Sequence, residues 1–147
     1  DSFGALYSEQ IAYLAKKYRG ILKTRELGIH AHNNQQLAFS NTIEAIINNV
    51  NYLDGTIFGI GRAAGNCPLE LLLGFLKNPK FDLRPILEVL EKDFVNLKDE
   101  IEWGYTIPYM ITGVLDNHPR SAMALRNSEN KDDYLGFYEK LTAESNV

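Results

Sequence analysis

Two short apolar runs, residues 27–31 and 53–58, constrain this chain most, because each follows a stretch of helical spacing. Ile11, Leu14, Ala15 and Tyr18 fall at i, i+3, i+4 and i+7, so residues 8–19 read as an amphipathic helix with Ser8 as N-cap. Phe39, Ile43, Ile46, Ile47 and Val50 give residues 37–50 the same reading. The first run fits a buried strand, and the second (LDGTIF) is a strand with branched residues. Residues 67–76 then predict a third helix, with Pro68 in its first turn, where a missing N–H costs nothing. This alternation across residues 1–77 is that of a parallel α/β sheet with crossover helices. Two strands alone make a poor sheet, and a parallel sheet needs both faces covered, so further strands are expected from elsewhere. The opening Asp1-Ser2-Phe3-Gly4 agrees with this: it reads as a turn leaving a strand that the chain does not contain. A portion of a longer chain is expected.

Residues 78–147 show no strand pattern. Leu83, Ile86, Leu87, Leu90, Phe94, Leu97 and Ile101 step by three and four along one long helical stripe. Residues 103–115 are apolar and aromatic, interrupted by Pro108 and Gly113; Pro119 starts another helix and residues 132–141 form a last one. The division is therefore an α/β part, 1–77, and an all-helical subdomain, 78–147, joined near Asn78-Pro79. A net charge of −4 weighs against nucleic acid or an anionic membrane as partner. No apolar run approaches the roughly 20 residues that span a bilayer, and the opening residues do not read as a signal peptide. A single cysteine, Cys67, fits a reducing cytoplasm.

The chemistry concentrates at the ends of the two strands. Of three histidines, His30 and His32 close the first run in GIHAHNN. On a strand, i and i+2 share a face, about 6.5–7 Å apart at Cα. Two imidazoles so placed can hold one divalent ion, and they sit at the strand edge where α/β folds build their sites. The same pair also suits plain hydrogen bonding to loop backbone, and a complete site needs a carboxylate and open positions as well. After the second run comes GIGRAAGN, residues 59–66. Gly59, Gly61 and Gly65 allow tight turns and close approach. The spacing is neither the dinucleotide fingerprint nor a Walker A loop. Asn66 reads as the N-cap of the helix starting at Cys67, or as an oxygen ligand. Arg62 reads as a fork for carboxylate or phosphate, or as an exposed loop charge.

Taken in order, DSFG, HAHNN and GIGRAAGN resemble the end of the metal-dependent aldolase and Claisen-type TIM barrels, the HMG-CoA-lyase-like superfamily. The resemblance covers residues 1–77 and implies the last two strands of a (β/α)8 barrel with their helices. By that resemblance His30 and His32 are ligands of a divalent metal, Mn²⁺ or Mg²⁺, and Asn66 joins them. Ser2 lies where the aldolases meet the substrate carboxylate, and His30 also borders the substrate. Gly104-Tyr105 is similar to the Gly-Tyr by which the helical domain of such aldolases reaches the substrate, which implies a catalytic and substrate-binding Tyr105; a core aromatic beside Trp103 and Tyr109 is the other reading.

The departures sort the branches. The lyases carry a catalytic cysteine before the loop asparagine, whereas Cys67 follows Asn66 and reads as a small buried residue. The synthases carry a glutamate in the loop that Arg62-Ala63-Ala64-Gly65-Asn66 lacks. Asn66-Cys67-Pro68-Leu69-Glu70 looks most like the 4-hydroxy-2-oxovalerate aldolases. The resemblance thus implies cleavage of a 4-hydroxy-2-oxo acid to pyruvate and an aldehyde. An Arg-Asp pair on strand one would come from an N-terminal barrel half that this stretch lacks, so the stretch alone is expected to be inactive. An acyl-CoA-dependent synthase and a non-catalytic assembly module remain open. A homo-oligomer, or an aldehyde dehydrogenase docked on the helical tail, is the implied protein partner.

Overall fold

A computed structural model describes residues 1–23 and 26–145. Helix α1 (Ser8–Ile21) leads to strand β1 (Gly28–Ile29), helix α2 (Ala38–Ile47) and strand β2 (Tyr52–Leu53). The two strands pair in parallel, Gly28 with Tyr52 and Ile29 with Leu53. The expected order holds, but both strands are shorter than the apolar runs. The second run leaves the strand after Leu53 and closes in a 3₁₀ turn, Ile57–Gly59, with Phe58 at φ 55°. Side chains take both backbone groups of Phe58: its N–H donates to the Glu70 carboxylate at 3.0 Å, and its carbonyl accepts from Trp103 Nε1 at 2.9 Å. Neither group is left for a strand ladder.

The helices differ from the expected ones in their caps and buried faces. The N-cap of α1 is Tyr7, not Ser8, and the Gln10 side chain reaches back to accept the Tyr7 N–H at 2.8 Å. Ile11 and Ala15 are buried as expected, whereas Tyr18 is 51% exposed. On α2 the fully buried stripe is Ala38, Asn41, Thr42 and Ala45. The large residues expected there, Phe39, Ile43, Ile46 and Val50, are only partly covered, and Ile47 is exposed. Small side chains let α1 approach α2 closely. Asn41 Nδ2 donates across to the Leu6 carbonyl at 2.8 Å, so the buried amide is satisfied.

Helix α3 (Leu69–Leu76) starts two residues later than expected, with Pro68 as its N-cap. Asn66 therefore does not cap it. Cys67 is fully buried with Ala31, Ala38 and Leu72, in a core bordered by Ile29, Phe39 and Leu53. Helices α4 (Arg84–Val89) and α5 (Val95–Glu100) run on through a π turn, Leu90–Phe94, and none of these elements holds a buried residue. Helices α6 (Ile107–Val114), α7 (Arg120–Arg126) and α8 (Tyr134–Ser145) complete the tail. Pro119 caps α7, in line with the sequence expectation. A second core joins Tyr109, Ile111, Ala122, Phe137 and Leu141 to Ala63 and Ala64 of the glycine loop. The helical tail and the glycine loop thus share packing. Among the described residues no helix is long and apolar enough to cross a membrane.

Candidate functional site

The end of β1 and the glycine loop are stitched together by backbone. His32 pairs antiparallel with Asn66, and the Asn33 N–H donates to the Gly65 carbonyl at 2.9 Å. This brings the two motifs, about 35 residues apart in the chain, onto one edge. The DSFG turn closes the same edge from the other side. Gly4 sits at φ 61°, and a Cβ there would lie 2.7 Å from the Asn34 nitrogen, so only glycine fits. Gln35 Nε2 ties the Gly4 carbonyl at 3.1 Å and that of Gly113 in α6 at 3.4 Å. Turn, histidine segment and tail meet at this point.

The two imidazoles stack edge to face, with ring centroids 4.9 Å apart and planes at 78°. His32 Nδ1 lies 2.8 Å from the Asp1 carbonyl. A carbonyl only accepts, so Nδ1 carries the proton and Nε2 keeps its lone pair. His30 Nδ1 lies 3.1 Å from Asp54 Oδ2, which fixes that ring in the same sense. Ligating histidines are typically held in this way, by a carboxylate or carbonyl on the nitrogen away from the metal. Burial holds the His32 pKa down to about 4, helped by the nearby His30 and Arg62. His32 is therefore neutral at pH 7, the form that ligates.

Asn66 is the third group. Its Nδ2 donates to the Ile60 carbonyl at 3.2 Å, while Oδ1 is buried with no hydrogen-bond partner. A buried amide oxygen without a partner is uncommon and costly. The glycine loop aims it: a Cβ on Gly61 would lie 2.5 Å from Asn66 Nδ2, and one on Gly65 would overlap the Gly59 carbonyl. Two imidazoles with open Nε2 lone pairs and one bare amide oxygen suit a divalent ion, and they form part of a coordination sphere rather than a closed one. Among the described residues no group of three or more His, Cys, Asp or Glu side chains could hold a metal.

The sequence profile of the HMGL-like family matches residues 1–91 of the 147. The chain belongs to the HMGL-like family. Over 95 residues it is 37% identical to 4-hydroxy-2-oxovalerate aldolase of Thermus thermophilus, covering 62% of this chain and 27% of that protein. Over 77 residues it is 38% identical to oxaloacetate decarboxylase of Mycobacterium tuberculosis, covering 52% of this chain and 23% of the relative. An aldolase-like N-terminal domain from Bacteroides vulgatus, solved as a crystal structure, superposes with TM-score 0.77 at 32% identity, over 88% of this chain and 44% of that one. The chain therefore spans about a quarter of the curated relatives it matches.

Against that family background the remaining expected residues divide. Ser2 is exposed beside the histidines, and its carbonyl accepts from Arg62 at 3.5 Å. Tyr105 follows Gly104, at φ 109°, and is 51% exposed, so it is not a core aromatic. It lines a concavity with Phe58, Lys98, Trp103 and Glu70 that neither histidine lines. No motif marks Asp54; its position directly after β2 is the signal that finds it. Burial pushes the Cys67 thiol pKa up, which suits a packing residue rather than a nucleophile.

Proposed function

We propose that the chain is the closing portion of a (β/α)8 barrel, β1 and β2 being its last two strands, followed by a helical subdomain. In the whole protein it would serve a divalent-metal-dependent lyase that cleaves a 4-hydroxy-2-oxo acid to pyruvate and an aldehyde. The observation that carries this reading is the pair of imidazoles, each fixed through Nδ1, beside the bare Oδ1 of Asn66. His30, His32 and Asn66 would hold Mn²⁺ or Mg²⁺, with an aspartate from the rest of the protein. When bound, such an ion supplies Lewis-acid stabilisation of the enolate that C–C cleavage leaves. The residues of this chain do the positioning. Asp1 and Asp54 keep the two rings in the ligating tautomer, the glycine loop fixes Asn66, and Ser2 borders the place for the substrate carboxylate. Tyr105 would reach the substrate only with the rest of the barrel in place. These 147 residues alone would not turn over substrate.

The decarboxylase relative favours a second reaction at the same site. Loss of CO₂ from a 2-oxo acid with a β-carboxylate leaves the same pyruvate enolate, so one enolate-stabilising site suits both. The test is pyruvate release by the full-length enzyme with Mn²⁺, from a 4-hydroxy-2-oxo acid and from oxaloacetate, alongside acetyl-CoA condensation. The expected result is metal-dependent pyruvate release that falls at least about 100-fold in His32→Ala, a ligand loss exceeding typical outer-shell effects. Full metal-dependent activity in that variant, or condensation alone, would overturn the proposal.

A further inference from the structure

The aldolase reading leaves a group of cations beside the histidines without a role. Arg62 is exposed on the glycine loop, and its guanidinium points at the Ser2 carbonyl, 3.5 Å away. The next residue of that turn, Phe3, meets His118 edge to face with centroids 5.2 Å apart. His118 Nδ1 accepts the Arg120 backbone N–H at 3.0 Å, which sets Arg120 at the start of α7 beside the same turn. The other end of the turn is the Asp1 carbonyl that holds His32. One four-residue turn therefore links His32 to both arginines. Burial lowers the His118 pKa, and the nearby Arg120 and Arg62 lower it further.

These charges are uncompensated in an acidic chain. Net charge is −4, yet among the described residues the ion pairs are His30 with Asp54 and Arg126 with Glu102, and neither Arg62 nor Arg120 has a carboxylate partner. A guanidinium left open beside a binding site is a ready fork for carboxylate or phosphate oxygens. Phe3 and His118, packed edge to face, join the turn that carries Ser2 to the start of α7.

We propose that Arg62, with Arg120 across the Phe3–His118 pair, forms an anion-binding rim beside His32, and that the substrate carries a second anionic group at the end remote from its 2-oxo acid. This rests on the 2-oxo acid reading of the histidine site. Arg62 is a specificity residue in this account and takes no part in bond breaking. A substrate with a neutral terminus would leave the rim bound only to solvent.

The test is calorimetric titration of the full-length, Mn²⁺-loaded protein with three probes: pyruvate, 2-oxoglutarate, and a 2-oxo acid phosphorylated at its far end. At least one doubly anionic probe is expected to bind about tenfold tighter than pyruvate, the size of one charge-assisted contact. The two anionic arms tell a carboxylate from a phosphate. Arg62→Gln should abolish the preference, Arg62→Lys should keep part of it, and the remote Arg84→Gln should leave it intact. Equal binding of all three probes, or a preference that survives Arg62→Gln, would overturn the rim. If no probe binds at all, the 2-oxo acid reading falls and the rim with it. If the preference holds but 4-hydroxy-2-oxo acids are not cleaved, only the aldolase chemistry falls.

Discussion

At the residue scale the site depends on which imidazole nitrogen carries the proton. The Asp1 carbonyl and the Asp54 carboxylate settle this for His32 and His30, and neither partner is visible in a motif. H-x-H was legible because strand geometry alone puts both rings on one face. Asp54 was not, because an aspartate after a strand is common and only the fold brings it 3.1 Å from His30. Asp54→Asn in the full-length protein should weaken Mn²⁺ binding by about 10–100-fold with little loss of folding, the usual scale for an outer-shell partner. Unchanged affinity by calorimetry would remove Asp54 from the site. His32 also makes a pH prediction. The folded state holds it neutral down to about 4, whereas an unfolded chain protonates it near 6.5. Unfolding thus takes up a proton between those values, so stability is full above 6.5 and declines as pH falls toward 4. Thermal melts of the metal-free protein should show this decline, and His32→Gln should flatten it.

At the element scale, existence and order of the helices and strands were legible, and boundaries and faces were less so. The glycine loop shows why. Residues 57–58 read as the end of a strand because Ile57 is β-branched and Phe58 aromatic, but Glu70 and Trp103 capture the Phe58 backbone from positions distant in the chain. Asn66 reads as a helix cap by spacing, yet Pro68 occupies that position and Asn66 turns its amide inward. On α2 the apolar pattern located the helix but not its most buried stripe. That stripe is built from small residues, whose role is close approach rather than area. Ala38, with no exposed surface and packed with Ala31, Cys67 and Leu72, should resist enlargement: Ala38→Leu is expected to cost about 1–3 kcal/mol by overpacking, read from chemical denaturation. A neutral or stabilising result would mean that this core is not closely packed.

At the scale of the whole molecule, the tail is tied to the site rather than appended to it. Ala63 and Ala64 lie in the tail's own core, and Gly113 of α6 shares Gln35 with the DSFG turn. A composition change near residue 78 revealed the helical subdomain but not this shared packing, which rests on contacts between positions far apart in the chain. The two-stranded sheet also fits a molecule completed by strands beyond this stretch, since the matched relatives are about four times as long as the matched region. The proposed chemistry requires His30 and His32 to ligate a divalent ion in the complete protein. Titrating Mn²⁺ into the full-length, metal-stripped protein, followed by the loss of the free-ion paramagnetic resonance signal, tests it most directly. One ion per complete barrel is expected, with binding abolished in His30→Ala and in His32→Ala. An unchanged stoichiometry and affinity in both variants would contradict it.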